Sequence, residues 1–87
     1  MHLHCAFITE ENFKYAIVLV HKHLIIDQQQ AEQTVLYFEK QYFGMPTVLI
    51  AQSHNGTPQG FYGRRDIGLR LLNQPLAELH WRQVALN

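Results

Sequence analysis

Short apolar runs separated by polar turns are the main pattern along this chain of 87 residues. Residues 13–20 end in an apolar run, 15–20, that is rich in β-branched residues and apolar on both faces. Such a run predicts a central strand that is covered on both sides. Residues 48–51 predict a second buried strand. An earlier strand over residues 1–8, joined to the central strand by a turn at 9–12, is also expected.

Between the two buried strands, residues 27–44 predict an amphipathic helix. Asp27 is a favourable N-cap, and Gln30 three positions later completes a pattern like a capping box. Gly44 occupies the position of a left-handed C-cap. The apolar face of this helix is formed by residues at helical spacing, namely Ala31, Val35, Phe38 and Tyr42.

The second half of the chain predicts a hairpin, a short helix and a closing strand. Asn55-Gly56 is a strong hairpin signal because both residues tolerate positive φ. Pro58 has no N–H to donate, so strand pairing is expected to resume over residues 59–62. Residues 66–72 predict a second helix that Asn73 and Pro75 end, and residues 79–86 predict the last strand.

These elements predict one α+β (or small α/β) domain over residues 1–87, in the order β(β)αββαβ. A helix between two apolar strands implies a right-handed crossover between parallel neighbours. We therefore expect a two-layer sandwich with a four- or five-stranded mixed sheet and both helices on one face.

The charge balance argues against a general attraction to nucleic acid or to anionic membranes, because seven basic and seven acidic residues cancel. The last part of the chain is locally basic and uses only arginine as its cation, at Arg64, Arg65, Arg70 and Arg82. The longest uninterrupted apolar run is too short to span a bilayer, and no signal segment is visible, so a cytoplasmic protein is expected.

Histidine and cysteine raise the question of a metal or a reactive thiol. Cys5 is the only cysteine, which excludes an internal disulfide and a two-cysteine metal site. Two histidine pairs at spacing two would each share one face of a strand and could contribute zinc ligands: His2, His4, His21 and His23. The competing interpretation, which we favour, is solvated histidines at strand edges, a buried structural Cys5 and no cofactor.

The start of the second helix is the main candidate for ligand or partner binding. Backbone N–H groups at a helix start attract anions, and Arg64 and Arg65 would strengthen that attraction beside Asp66. Tyr62 could stack on a base or anchor a partner. The alternative is that Arg64 or Arg65 forms a surface ion pair with Asp66, Glu78 or the chain terminus, which contributes little to stability.

The segment from Gly44-Met45-Pro46-Thr47 to Asp66 resembles the C-terminal half of thioredoxin-like domains. The resemblance covers an apolar strand opening with Pro-Thr, an Asn-Gly hairpin, a strand ending in glycine and an amphipathic helix. It implies a cis proline at Pro46 that faces redox cysteines. The chain has no Cys-x-x-Cys motif, so dithiol exchange is excluded.

No pair of residues forms a convincing catalytic constellation, so we expect no enzyme and assign no catalytic residue. The leading hypothesis is a small non-enzymatic protein-binding or adaptor module that acts through protein contacts, as a homodimer. Three features support this hypothesis: low surface charge, ten aromatic residues (Phe, Tyr and Trp), and sheet edges that can pair with another chain. The first alternative is the redox hypothesis, a thioredoxin-like relative without a dithiol motif that uses a reactive Cys5 near Pro46. The second is nucleotide or nucleic-acid binding at Arg64 and Arg65.

Overall fold

The computed structural model describes residues 2–10, 12–52, 58–73 and 76–85. A π-helical turn at Glu39–Phe43 directly follows the helix at Gln28–Phe38, and a 3₁₀ turn at Leu76–Glu78 precedes the last strand. The main elements in chain order are β1 (His2–Glu10), β2 (Phe13–Leu19), α1 (Lys22–Ile26), α2 (Gln28–Phe38), β3 (Thr47–Gln52), β4 (Pro58–Tyr62), α3 (Arg65–Leu72) and β5 (Arg82–Ala85).

The strands form one five-stranded mixed sheet in the order β4-β3-β2-β1-β5. β2 and β3 are parallel neighbours connected through α1 and α2, and the other three pairings are antiparallel. The predicted α+β class, the element order and the central position of the two apolar strands are therefore confirmed. No helix in the described part of the chain is long and apolar enough to cross a membrane.

The two main helices lie on opposite faces of the sheet, so the prediction that both cover one face is wrong. α2 packs through Ala31, Val35 and Phe38 against Val18 and Leu49. α3 packs on the other face, where Ile67 and Leu71 meet core residues of the same two strands, Tyr15, Ile17, Val48 and Ile50. The physical reason is strand alternation, because β2 and β3 are apolar on both faces and one helical layer covers only one.

The ends of α2 follow the local sequence signals. The Asp27 side chain accepts a hydrogen bond of 3.2 Å from the backbone N–H of Gln30, as the capping pattern predicts. Gly44 has φ 62° and its N–H donates to the Glu39 carbonyl at 2.8 Å, which closes the π-helical turn. α1 was not predicted, and the side chain of Tyr42 lies outside the described residues.

The structure of the second half differs from the sequence prediction mainly at its end. β3 and β4 are antiparallel, as a hairpin requires, whereas the Asn55-Gly56 turn lies outside the described residues. β5 starts at Arg82, three residues later than predicted. Before it, Leu79 and Trp81 pack against the core under α3, and the Trp81 Nε1–H donates to the Leu76 carbonyl at 2.8 Å.

α3 approaches β4 closely because Gly68 has no side chain. A Cβ atom at this position would lie only 2.0 Å from the Phe61 ring and 2.4 Å from its Cγ atom. Gly68 is buried, and Phe61 packs against the core on the same face. The close packing of α3 on the sheet therefore requires a glycine at this position.

We predict that Gly68→Ala lowers the free energy of unfolding by about 1–3 kcal/mol, because Phe61 must shift out of a packed core. Urea denaturation followed by circular dichroism measures the effect. Gly60→Ala in β4 is the matched control, since a Cβ there meets nothing within 4 Å. Equal effects of the two substitutions would contradict the close packing of α3.

Candidate functional site

The residues expected to bind an anion or a partner lie where β4 passes into α3. Gly63 has φ 138°, and a Cβ there would lie 3.1 Å from the Thr47 carbonyl oxygen and from Val48. The chain thus turns tightly against β3 before α3 begins. Arg64 is the N-cap residue of α3, with extended backbone angles and no side-chain capping bond. Arg65 is the first residue of the helix and is exposed.

Arg64 is held by two neighbours at once. Its Nε and Nη2 atoms donate to the two carboxylate oxygens of Asp66 at 3.2 and 2.9 Å. Its guanidinium carbon lies 4.5 Å from the centre of the Phe13 ring, within the range of a cation–π contact. The two bonds from Arg64 lower the pKa of the Asp66 carboxyl. This is the surface ion pair of the alternative interpretation, and it neutralises one of the two arginines.

The structure does not bring Tyr62 together with Arg64 and Arg65. Tyr62 packs against the core beneath α2, whereas Arg64 and α3 belong to the opposite face of the sheet. Phe13, from the start of β2, provides the ring beside Arg64 instead. No ion pair includes Arg65 among the described residues. Anion binding at this helix start therefore stays a prediction, and Arg65 is the cation there that forms no ion pair with the described residues.

A second polar cluster connects α3 to the first hairpin of the sheet. The buried Tyr15 donates its hydroxyl to Glu10 Oε1 at 3.3 Å, and Arg70 of α3 donates to Oε2 of the same carboxylate. Burial raises the pKa of the Tyr15 phenol, and the negative charge of Glu10 adds to the rise. Arg70 is 60 residues from Glu10 in sequence, so no local pattern predicts their contact. Their role in this geometry is to attach α3 to the sheet.

Of the two histidine pairs, His2 and His4 both lie on strand β1 as expected, whereas His21 and His23 do not lie on a strand. His21 is the residue before α1 and His23 lies within it, with the two rings stacked at 5.6 Å between centroids. His4 is exposed on β1, opposite Gln83 of β5. The side chain of His2 lies outside the described residues. Within the described part of the chain, no group of three His, Cys, Asp or Glu side chains is arranged to hold a metal ion.

Cys5 is a buried thiol in the core beneath α2. Burial raises the pKa of this thiol, and the nearby charge of Arg82 only partly opposes the rise. The described residues contain no cis peptide bond, so the cis proline that the thioredoxin-like resemblance implied at Pro46 is absent. Burial therefore disfavours a thiolate at Cys5, and Pro46 lacks the cis geometry of a thioredoxin-like site.

The two edges of the sheet differ in how they can meet another chain. At the β4 edge, Pro58 has no N–H, and the pairing register shifts between Ala51 and Gln52. At the β5 edge, four residues pair with β1 in continuous register and contain no proline. Three of the four are exposed, namely Arg82, Gln83 and Ala85. In the sequence, the signal for this open edge is that the predicted last strand, residues 79–86, contains no proline or glycine to block further pairing.

Comparison with known proteins adds no relative, since no family model, curated protein or solved structure matches the chain.

We predict that Arg64→Ala raises the pKa of Asp66 toward its ordinary value, because both hydrogen bonds to the carboxylate are lost. A carboxyl whose pKa is lowered by folding stabilises the fold above its unfolded pKa, and the contribution is lost as the pH falls through the folded pKa. A carboxyl ¹³C NMR titration measures the change. Arg65→Ala is the control, and an equal rise in both variants would contradict the bidentate pair.

We also predict that Cys5 of the folded protein is alkylated by iodoacetamide at least roughly tenfold more slowly than in denaturant, because burial hides the thiol and disfavours its thiolate. Mass spectrometry at pH 8 over a time course measures the two rates. A free cysteine in the same solution is the control for the reagent. Equal rates with and without denaturant would show an exposed, reactive thiol and restore the redox hypothesis.

Proposed function

We propose that this protein is a small cytoplasmic, non-enzymatic binding module that acts through protein contacts, by adding an extended strand of another polypeptide to β5. The simplest partner is a second copy of the chain, which gives a homodimer. The observation that carries the proposal is the difference between the two edges of the sheet. Backbone N–H and C=O groups at an unprotected edge form hydrogen bonds with an added strand.

The outer side of β5 has the features of such an acceptor. β1 is its pairing partner within the described residues, and the register across that pair is unbroken from His2 to Cys5. An antiparallel strand uses alternate backbone groups for each neighbour, so half of the groups of β5 point away from β1. The β4 edge is a poorer acceptor because Pro58, its first residue, has no N–H to donate and because the register shift in the β3–β4 pairing makes the strand irregular.

Charge and thiol state agree with this proposal. The chain has no formal net charge at pH 7 when histidine is neutral, so two copies do not repel each other through their overall charge. Cys5 is a free thiol, which is typical of proteins in reducing compartments. The redox hypothesis receives less support because the Cys5 thiol is buried. The nucleotide hypothesis receives less support because Arg64 is already paired with Asp66.

We predict that the wild type self-associates at high concentration and that Gln83→Lys raises the dissociation constant of the dimer by roughly two- to tenfold. In a symmetric antiparallel pair of β5 strands, the introduced lysine of one copy lies near that of the other, and like charges on neighbouring strands destabilise a sheet. Light scattering coupled to size exclusion measures the mass at a series of concentrations.

Gln59→Lys is the matched control, because it makes the same substitution at an exposed position of the other edge strand. This variant is expected to associate like the wild type. A wild type that stays a strict monomer at every concentration would contradict the dimer. A loss of association in Gln59→Lys but not in Gln83→Lys would place the contact at β4.

A further inference from the structure

Arg82 is the only charged residue of β5 and lies at the open edge of the sheet. Its side chain is exposed, and neither of the two ion pairs found among the described residues includes it. Its partner in β1 is Cys5, which belongs to the core beneath α2, so Arg82 lies on the α2 side of the sheet. A strand added next to β5 would place a side chain beside this guanidinium.

The same face of β5 offers an apolar contact two residues further on. Val84 is half-buried and packs against the core that contains Cys5, together with its partner Leu3 of β1. Gln83 lies between them in sequence and therefore points to the other face. The open edge thus presents a cation and then an apolar side chain to one face of any strand that pairs with it.

A second copy of β5 does not complement this pattern. β5 contains no acidic residue, so two paired β5 strands cannot place a carboxylate from one strand beside Arg82 of the other. An acidic residue in a different strand would supply that opposite charge at a cross-strand position, where such pairs stabilise a sheet.

We infer that β5 preferentially binds an extended acidic segment of another polypeptide, with a carboxylate beside Arg82 and an apolar residue two positions away beside Val84. This inference rests on the proposed strand addition and specifies the partner. The acidic segment competes with a second copy for the same edge, so its binding dissociates the homodimer.

The test uses the full chain and a labelled peptide of sequence Thr-Val-Thr-Glu-Thr-Val-Thr, acetylated and amidated at its ends. The peptide reads the same in both directions, so it serves parallel and antiparallel pairing equally. A second peptide with lysine in place of glutamate is the matched control. Fluorescence anisotropy is expected to give roughly tenfold tighter binding of the glutamate peptide to the wild type, with the difference shrinking as salt is added.

Arg82→Glu is expected to reverse the preference of the protein for the two peptides, whereas Arg65→Glu makes the same charge change on α3 and is expected to leave it intact. Circular dichroism confirms that both variants are folded, and Arg82→Gln, which is expected to abolish the preference, serves if charge reversal disturbs the fold. Equal binding of both peptides by the wild type, or equal effects of Arg82→Glu and Arg65→Glu, would overturn the inference.

Light scattering of the same samples separates this inference from the proposed function. A wild type that dimerises through β5 but binds neither peptide would overturn the acidic preference and leave strand addition intact. A monomer that binds neither peptide would overturn both. Conversion of the dimer to a monomer–peptide complex by the glutamate peptide alone supports the inference.

Discussion

The parallel pairing of β2 and β3 places two strands that are apolar on both faces next to each other in the middle of the sheet. Burial of their side chains on only one face would leave the other in water, at a cost of roughly 1.5–3 kcal/mol for each large aliphatic residue. The fold therefore needs a helical layer on each side. α2 supplies one layer and α3, with the turn at Leu76–Glu78, supplies the other.

The layer formed by α3 depends on a few specific contacts with the strands of the sheet. Gly68 lets α3 approach Phe61, and the carboxylate of Glu10 bridges Tyr15 and Arg70. Arg64 lies on Phe13 while it pairs with Asp66. These contacts fix the start of α3 against the sheet, so its charged side chains contribute to the packing and orientation of the helix as well as to solubility.

Elements whose signals are local were predictable. Asp27 caps α2 and Gly44 ends its last turn because both effects act within a few residues. The position of Phe13 beside Arg64 was not predictable, since it depends on the packing of β2 and α3. The burial of residues 15–20 on both faces of the sheet was predicted correctly, but the helix on each face that this burial requires was not predicted. His21 and His23 were misplaced because a short helix, α1, follows β2 directly.

If copies of this protein pair through β5 as proposed, Pro58 limits how far they can assemble. If both edges of a sheet could pair, each association would leave another free edge, and the sheets could continue into a fibre. Because β4 begins with Pro58 and pairs irregularly with β3, such pairing at β5 would use up the more regular edge of each copy. In a pair formed through β5 in this way, growth would stop at two copies, and the proline at the other edge would protect the protein against polymerisation.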